Sequence, residues 1–324
     1  MIAQQPPAQA GPAAESAGIV PSGPASAGSV PATAGPNPDS RALSPTLRVV
    51  IPSKGRQGLI GKAALRLFPD ATVTVAESEV AAYAGVTYPD GRRLISEEQL
   101  VPHPDDVSGI GPIRQWVLDH FDDECIVMVD DDVYELVLLV HYVPRKMSQP
   151  EVVRQVVHNA ANVAQGIGAP VFGFNQAWDV RKFRPFEPFS LNSWAGGVIG
   201  IIGRDLRYDP NLRLRADIDF CLQALQRKRI TFIELRFSFM HRRFGVAGGN
   251  ASNRSSRRNE EEIAYLQRKW GDHLKVADKK TTTRLSIHVP RRQSGVRFHD
   301  FYEGTELSTI LDDQESTTQE AALS

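Results

Sequence analysis

Apolar residues recur through the middle of the chain in two patterns, short buried runs and longer runs with helical spacing. Short, β-branched or alternating runs predict strands at 47–52, 71–78, 100–101, 125–129, 170–176, 196–206 and 230–239. Apolar positions three or four residues apart predict helices at 111–121, 150–166, 216–229 and 259–271. Because strands and helices alternate through the first half, the pattern predicts an α/β fold with a mostly parallel central sheet flanked by helices.

The last two predicted helices have charged residues at their ends that suit the helix dipole. At 216–229, Asp217 and Asp219 stand at the start and basic residues at the end. At 259–271, Asn259 is a residue type that caps helices, and three glutamates follow it in the first turn. Gly271 suits the end of that helix.

The two ends of the chain lack the composition of a folded domain. Residues 1–45 are mostly Ala, Pro, Gly and Ser, with too little large apolar surface to offset the entropy of ordering. We therefore expect 1–45 to be disordered and the polar residues 301–324 to be loose, which leaves 46–300 as one domain. Residues 1–45 also lack the basic start and apolar run of a signal peptide.

Two further features of the composition bear on location. No run of eighteen apolar residues exists, so we expect no membrane span. Cys125 and Cys221 are the two cysteines, too few for a disulfide framework in a chain of 324 residues. Reduced cysteines favour an intracellular, cytoplasmic protein.

The formal net charge of −1 conceals a strong asymmetry along the sequence. Residues 70–135 contain sixteen acids and three bases, whereas residues 181–300 contain twenty-five bases and twelve acids. A basic half of this kind suits an anionic partner such as a nucleotide or a nucleic acid. An arginine-rich surface in contact with solvent explains the charge equally well.

Three consecutive carboxylates, Asp130, Asp131 and Asp132, directly follow the buried strand at 125–129. Like charges at such a point are costly unless a cation balances them. In an extended chain, residues i and i+2 point the same way, so Asp130 and Asp132 can converge while Asp131 turns aside. Convergent carboxylates predict a Mg²⁺ or Mn²⁺ site that also binds a diphosphate. The alternative is an acidic turn that caps the next segment.

Two other phosphate-handling motifs fit less well. An Asp-x-Asp nucleophile of the haloacid dehalogenase type also follows an apolar strand, but it usually continues with a small residue and then Thr or Val. Here Val133–Tyr134 follow instead. A P-loop is excluded, because Gly55 and Gly61–Lys62 are one residue too far apart and Ala63 replaces the required Ser or Thr.

Three cations are candidates for contact with a nucleotide. Lys54 and Arg56 flank Gly55 in the loop "IPSKGR" directly after the first strand, where backbone donors and cations suit phosphates. Arg114 lies in the first turn of a helix in an otherwise acidic region. Strand-end cations are common, and Arg114 could equally form an ion pair with a neighbouring acid.

Three later side chains could carry catalytic or metal-binding roles. Asp217 and Asp219 follow an arginine-rich loop and open a helix, so either could cap that helix or act as a general base for an acceptor hydroxyl. His241 follows a predicted strand and precedes two arginines and the Gly-rich "GVAGGN". A neutral histidine could complete a metal site, although an isolated histidine is usually structural.

In this order, the motifs resemble the GT-A glycosyltransferases. The shared features are "IPSKGR" after the first strand, the triplet "DDD" after a central strand, the Gly-rich "WAGGVIGIIGR", the acidic helix start "ADID" and a late histidine. Within that class, "VVIPSKGR", "GIGPIRQWVLDH", "IVMVDDDV", "DFCLQAL" and "LQRKWG" resemble the TET-associated glycosyltransferases of phage and bacterial genomes. The resemblance spans about 48–290 and implies the Rossmann-like GT-A fold.

The resemblance implies roles for individual residues. Asp130 and Asp132 would bind a divalent metal, with His241 as a third ligand, and Asp217 would be the base. Ala216 stands where the broader motif often has Glu, so Asp219 is a rival for that role. The residues expected beside the nucleotide are Pro52, Ser53, Lys54, Arg56, Arg114, Asp130, Asp131, Gly196 and Gly197.

The implied activity is metal-dependent transfer of a sugar from a nucleotide-sugar donor, a UDP-sugar first, with Mn²⁺ or Mg²⁺. The implied acceptor is a hydroxymethylated pyrimidine in DNA, made by a TET-type oxygenase in a phage-infected or bacterial cell. The basic residues 181–300 would contact the DNA backbone. Three alternatives remain open: a glycan, lipid or protein acceptor, a sugar nucleotidyltransferase, and a nucleic-acid-binding protein without activity.

Overall fold

A computed structural model of the chain describes residues 46–140, 143–177, 179–242, 256–279 and 282–289. The predicted tails at 1–45 and 301–324 lie outside these residues, as does the Gly-rich segment after His241. The bounds of the domain at 46–300 therefore stay a prediction.

A central ten-stranded sheet and a separate two-stranded hairpin form the β structure of the described residues. The strands are β1 Leu47–Pro52, β2 Thr72–Ala76, β3 Leu100–His103, β4 Cys125–Val129, β5 Val133–Leu138, β6 Arg145–Met147, β7 Val171–Asn175, β8 Phe189–Ser190, β9 Val198–Ile202, β10 Phe232–His241, β11 Leu274–Lys279 and β12 Thr282–Ile287. Strands β11 and β12 pair only with each other in the described part of the chain.

The central sheet has the strand order β3-β2-β1-β4-β9-β7-β10-β5-β6, with β8 beside β10. Strands β1, β2, β3, β4, β6, β7 and β10 run in one direction, and the described strands β5, β8 and β9 run in the other. The carboxyl ends of β1, β4, β7 and β10 consequently meet at one edge. Because β9 is antiparallel to β4, its amino end lies at that same edge.

Helices cover both faces of this sheet. They are α1 Gln57–Ile60, α2 Ala64–Leu67, α3 Val80–Ala84, α4 Ile110–His120, α5 Pro150–Gly166, α6 Ala216–Lys228 and α7 Ser256–Trp270. Side chains of β4 alternate between the two layers of the core. Val127 and Val129 pack on the side of α2 and α5, and Ile126 and Met128 pack on the side of α4, α6 and α7.

The predicted architecture, an α/β domain with a mostly parallel central sheet flanked by helices, is confirmed. Two local expectations were incomplete or wrong. The residues after the acidic triplet form β5, which pairs antiparallel with β10. Helix α7 begins at Ser256, so Asn259 lies inside the helix and accepts hydrogen bonds from the guanidinium of Arg215 (3.0 and 2.6 Å).

Both cysteines are buried and unbridged. Cys125 lies in β4 and Cys221 in α6, each fully covered by core side chains. Burial raises the pKa of each thiol to about 12, so neither is a reactive thiolate at neutral pH.

Candidate active site

The acidic triplet lies at the carboxyl end of the fully buried strand β4. The Asp130 amide donates to the Gly197 carbonyl (2.7 Å), which extends the pairing of β4 with β9 by one residue. The Val133 amide donates to the Asp130 carbonyl (3.1 Å), which closes a turn over Asp131 and Asp132. The three carboxylates therefore project from a turn, not from the extended segment that the sequence predicted.

Asp130, Asp132 and His241 come together at this turn. One ligand atom from each lies within 4.8 Å of those of the others. His241 reaches the cluster because β10 pairs with β5, whose first residue follows Asp132, and its Nδ1 lies 3.1 Å from Asp132 Oδ1. Carboxylate oxygens are the ligands that Mg²⁺ and Mn²⁺ prefer, and an imidazole nitrogen can complete such a set. The donor set therefore fits the divalent ion expected from the sequence.

Asp131 lies outside this cluster and contacts the loop after β1. Its carboxylate accepts hydrogen bonds from Ser53 Oγ (2.7 Å) and Arg56 Nη1 (2.5 Å), and it is almost fully buried. Burial raises the pKa of Asp131 to about 6 in spite of these partners. Arg56 also lies 3.4 Å from Asp132, so its cation balances two members of the triplet.

The other residues of the "IPSKGR" loop lie around this pair. Pro52 ends β1 and is half-buried, whereas Lys54 is exposed. Ser53 is buried, and its hydroxyl shares a hydrogen bond with Tyr83 (2.7 Å). The structure thus brings Ser53 and Arg56 to the acidic turn and leaves Lys54 in solvent.

Arg114 is a buried cation between two carboxylates of the site. Its Nη2 donates to Asp130 Oδ1 (2.9 Å), and its side chain is 3% exposed. Burial acts to lower the pKa of Arg114, but the neighbouring Tyr208, Asp130 and Asp217 raise it overall. The ion-pair reading of Arg114 is therefore the one that the geometry supports, because so buried a guanidinium offers little surface to a nucleotide.

Gly196 and Gly197 form a close backbone support for two of these side chains. A Cβ on Gly196 would lie 2.8 Å from Asp217 Oδ2, and one on Gly197 would lie 2.1 Å from His241 Cε1. Gly197 also has a φ of +74°, a conformation that favours glycine. The glycine pair predicted from sequence thus lies against both the candidate base and the candidate metal ligand.

Asp217 and Asp219 have different surroundings although both belong to the first turns of α6. Asp217 lies against Gly196, and burial raises its pKa, with Asp130 adding to the shift and Arg114 opposing it. Asp219 is fully buried and its carboxylate contacts Trp270 Nε1 (2.7 Å), Lys269 Nζ (2.8 Å) and Gln223. Of the two carboxylates that the sequence left open as the base, Asp219 is the one enclosed by the core, so the geometry favours Asp217.

Sequence reasoning missed several residues that hold the site in place. Tyr83 also accepts a hydrogen bond from the Arg56 amide (3.0 Å), Gln176 donates to the Gly196 carbonyl (3.0 Å), and Arg242 donates its amide to the Asp132 carbonyl (3.1 Å). Their contacts join segments far apart in the chain, and no local spacing marks them.

None of the described helices is both long and apolar enough to cross a membrane.

A family model described as TET-Associated Glycosyltransferase matches residues 47–249 of the chain. No curated protein matches it. This segment contains every residue of the acidic turn, the glycine pair, Asp217 and His241.

Several solved structures resemble the chain at low identity. A mannosyltransferase from Pyrobaculum calidifontis, in complex with GDP-Man and Mn²⁺, is 14% identical with a TM-score of 0.38, over 60% of this chain and 57% of that one. TarS 1-349 of S. aureus, in complex with UDP-GlcNAc, is 13% identical with a TM-score of 0.35, over 59% and 55%. Mannosyl-3-phosphoglycerate synthase from Rubrobacter xylanophilus is 12% identical with a TM-score of 0.41, over 76% and 86%. The chain spans little more than half the length of the first two structures.

Proposed function

We propose, from the premise that this chain belongs to the TET-associated glycosyltransferase family, that it transfers a sugar from a nucleotide donor to a hydroxymethylated pyrimidine in DNA. The observation that carries the proposal is the cluster of Asp130, Asp132 and His241 at the carboxyl edge of the sheet. Ligands of open α/β sheets bind beyond this edge, so a nucleotide sugar placed there would have its diphosphate beside the cluster. An acceptor in DNA also implies an intracellular site of action.

Asp130, Asp132 and His241 would hold a divalent ion, Mn²⁺ or Mg²⁺. When bound, the ion supplies positive charge for the diphosphate leaving group. The carboxylate of Asp130 is 36% exposed and faces outward, whereas that of Asp132 is 12% exposed and rests against His241. The cluster therefore has an open side on which a donor can bind.

Asp217 would act as the general base. In the reaction, the acceptor oxygen bonds to the anomeric carbon, the bond from that carbon to the diphosphate oxygen breaks, and the hydroxyl proton passes to Asp217. Burial raises the pKa of Asp217, which makes its carboxylate a stronger base than an exposed aspartate. Arg114, paired with Asp130, would balance the charge of both carboxylates.

The basic residues of 181–300 would contact the DNA backbone, and a TET-type oxygenase would supply the hydroxymethyl group. A neutral glycan, lipid or protein acceptor would not account for the excess of basic residues in this segment. The following experiment distinguishes a DNA acceptor from these other acceptors and from nucleotidyl transfer.

The test incubates the full chain with Mn²⁺ or Mg²⁺ and a panel of UDP- and GDP-sugars, with and without hydroxymethylcytosine DNA. We expect release of nucleoside diphosphate that depends on the DNA, and a matching gain of mass in the DNA. Asp132→Asn should remove at least about 90% of the activity, since loss of even a hydrogen-bond partner of a metal ligand typically costs about 10–100-fold. Asp122→Asn, an exposed carboxylate on the loop before β4, is the matched control and should retain it.

Release of nucleoside diphosphate that does not depend on DNA, with no gain of mass in the DNA, would contradict the DNA acceptor. It would leave the glycosyltransferase activity itself in place. Pyrophosphate release from a nucleoside triphosphate and a sugar phosphate would instead identify a nucleotidyltransferase. No reaction with any donor would refute the activity as a whole.

A further inference from the structure

Helix α7 lies beyond the residues that the family model matches, yet it packs on the helix that carries Asp217. The matched segment ends at residue 249 and α7 spans Ser256–Trp270. Ile263 and Leu266 of α7 belong to the same core cluster as Ile218 and Leu222 of α6. The contacts between these helices include polar side chains of α7 that reach the start of α6.

Glu262 makes the first of these polar contacts. Its carboxylate accepts hydrogen bonds from three consecutive backbone amides, those of Arg213 (3.0 Å), Leu214 (3.0 Å) and Arg215 (3.1 Å). Glu262 is 6% exposed although it is a glutamate. These amides belong to the segment that leads into α6 at Ala216, and a carboxylate that accepts three of them fixes the orientation of that segment.

Lys269 and Trp270 make the second contact, about two turns later in α7. Lys269 Nζ and Trp270 Nε1 both lie against Asp219 Oδ1 (2.8 and 2.7 Å). Asp219 is fully buried, so this pair fixes α6 from inside the core. A buried carboxylate with two such donors is costly to move, because any displacement leaves a charge without a partner.

Asp217 lies between these two fixed points. The segment 213–215 precedes it, Asp219 follows it, and the carboxylate of Asp217 rests on Gly196. We infer that Glu262 is a positioning residue: by holding the amides of 213–215 it sets the place of the Asp217 carboxylate relative to the acceptor. This inference rests on the proposed role of Asp217 as the base. Glu262 acts through α6 and has no contact with substrate.

The test compares Glu262→Gln with Glu261→Gln in the full chain. Glu261 is the neighbouring glutamate of α7, 59% exposed and paired only on the surface with Arg257 among the contacts described. Glutamine at 262 keeps the size of the side chain but has one carbonyl oxygen, so an NH₂ group meets one of the three amides. Steady-state transfer, thermal unfolding and hydrogen exchange of the amides at 213–219 are measured for both.

We expect Glu262→Gln to lower kcat about 10–100-fold, since a misplacement of around 1 Å can cost this much. The KM for the nucleotide sugar should stay within about threefold, because the donor binds at Asp130, Asp132 and His241. Hydrogen exchange at 213–215 should become faster, while Glu261→Gln matches the wild type in all three measurements. A loss of kcat and donor affinity together, in step with a loss of folded protein, would show that Glu262 serves stability alone.

Two provisions keep the result decisive. If Glu262→Gln does not fold, Asn259→Ala removes the other α7 contact with this segment, its bond to Arg215, and is judged by the same kcat and KM comparison. If the wild-type chain transfers no sugar, the proposed function fails, and the exchange data alone decide whether Glu262 fixes the segment before Asp217. Unchanged exchange at 213–215 in Glu262→Gln would overturn the inference in either case.

Discussion

Asp217 and Asp219 stand two residues apart, and the fold gives them different surroundings. Both are aspartates at the start of the same helix, after an arginine-rich loop, so the sequence alone could not tell which of them is the candidate base. The fold does so because the two carboxylates face different partners. Asp217 faces Gly196 at the edge of the sheet, and Asp219 is enclosed by α7. Gly196 lies about 20 positions before Asp217, and Trp270 lies about 50 positions after Asp219. No local sequence pattern contains contacts at such separations.

The arrangement of the acidic triplet was predictable from the sequence only in part. The sequence predicted that Asp130 and Asp132 converge and that Asp131 turns aside, and the geometry agrees with that division. The predicted cause, an extended chain in which residues i and i+2 point the same way, was wrong, because residues 130–133 form a turn. The partner of Asp131, the Ser53–Arg56 pair, lies about 75 positions earlier, so its contact with Asp131 could not be read from spacing.

The raised pKa of Asp217 predicts a pH dependence of transfer. A general base works when ionised, so activity is lost as the pH falls through its pKa. Because burial raises that pKa, we expect kcat/KM to begin falling at a higher pH than the ordinary range of aspartate, with a limiting slope of about one log unit per pH unit. The measurement is a profile of kcat/KM against pH for the donor and acceptor pair.

Asp217→Asn should lower kcat/KM by roughly 10²–10⁴ and remove this acidic limb from the residual rate. Asp219→Asn is the companion variant, because it removes a carboxylate from the same helix turn. It should lower the unfolding temperature and keep the limb. A limb that persists in Asp217→Asn would assign the titration to another group.

At the scale of elements, the turn at Gly196–Gly197 connects β9 to the site. Gly197 has a φ of +74° and its α-carbon supports the ring of His241, whose Nε2 would lie 2.4 Å from an added Cβ. Alanine at this position must therefore strain the backbone and displace the imidazole. Gly203, just after the other end of β9, has a φ of +78° with no atom within 4 Å of an added Cβ. The two glycines differ in their neighbours and share their backbone conformation.

We expect Gly197→Ala to weaken Mn²⁺ binding at least about tenfold, equivalent to about 1.4 kcal/mol, if His241 is a ligand as proposed. Gly203→Ala should carry the backbone strain alone, about 1–2 kcal/mol of stability, with Mn²⁺ affinity unchanged. Titration of the protein with Mn²⁺, followed by electron paramagnetic resonance, measures the affinity. Equal affinity in both variants and the wild type would remove His241 from the ligand set.

The elements themselves were predictable where hydrophobic spacing was strong. Strand β4, helix α5 and strand β10 appear where the apolar pattern placed them. Helix α7 begins three residues before its predicted cap, and Asn259, which lies inside the helix, contacts Arg215 with its side chain. Strand β5 was missed because it directly follows the acidic triplet and Glu135 interrupts its apolar residues; its pairing with β10 gives it its place in the sheet. Tertiary contacts thus decide the strands and bounds that the local pattern leaves open.

At the scale of the whole molecule, some basic side chains of residues 181–300 contact the acidic segment at residues 70–135. Arg204 donates to the carbonyl oxygens of Phe121 and Asp123, and Arg207 pairs with Asp119 (2.8 Å). These arginines belong to the basic half and contact the acidic half. Some side chains of the basic half are therefore engaged within the chain, although Arg207 itself remains 65% exposed. Arginines on other surfaces of that half keep their charge accessible.

Arg181 and Arg184 are two such residues, 86% and 65% exposed, and they test the proposed DNA contact. Each released counterion contributes a slope of about −0.9 to the dependence of log Kobs on log[salt]. Replacing both by glutamine should weaken binding to hydroxymethylcytosine duplex and reduce the magnitude of that slope by up to about 1.8. Arg92 and Arg93 offer the matched control on the acidic half, 76% and 53% exposed and likewise in surface ion pairs. Their double replacement changes the net charge equally, so it separates a local contact from a general effect of charge. Fluorescence anisotropy between about 50 and 200 mM salt gives both slopes. The same loss in both double variants would place the DNA away from 181–184, and no salt dependence at all would argue for a neutral acceptor.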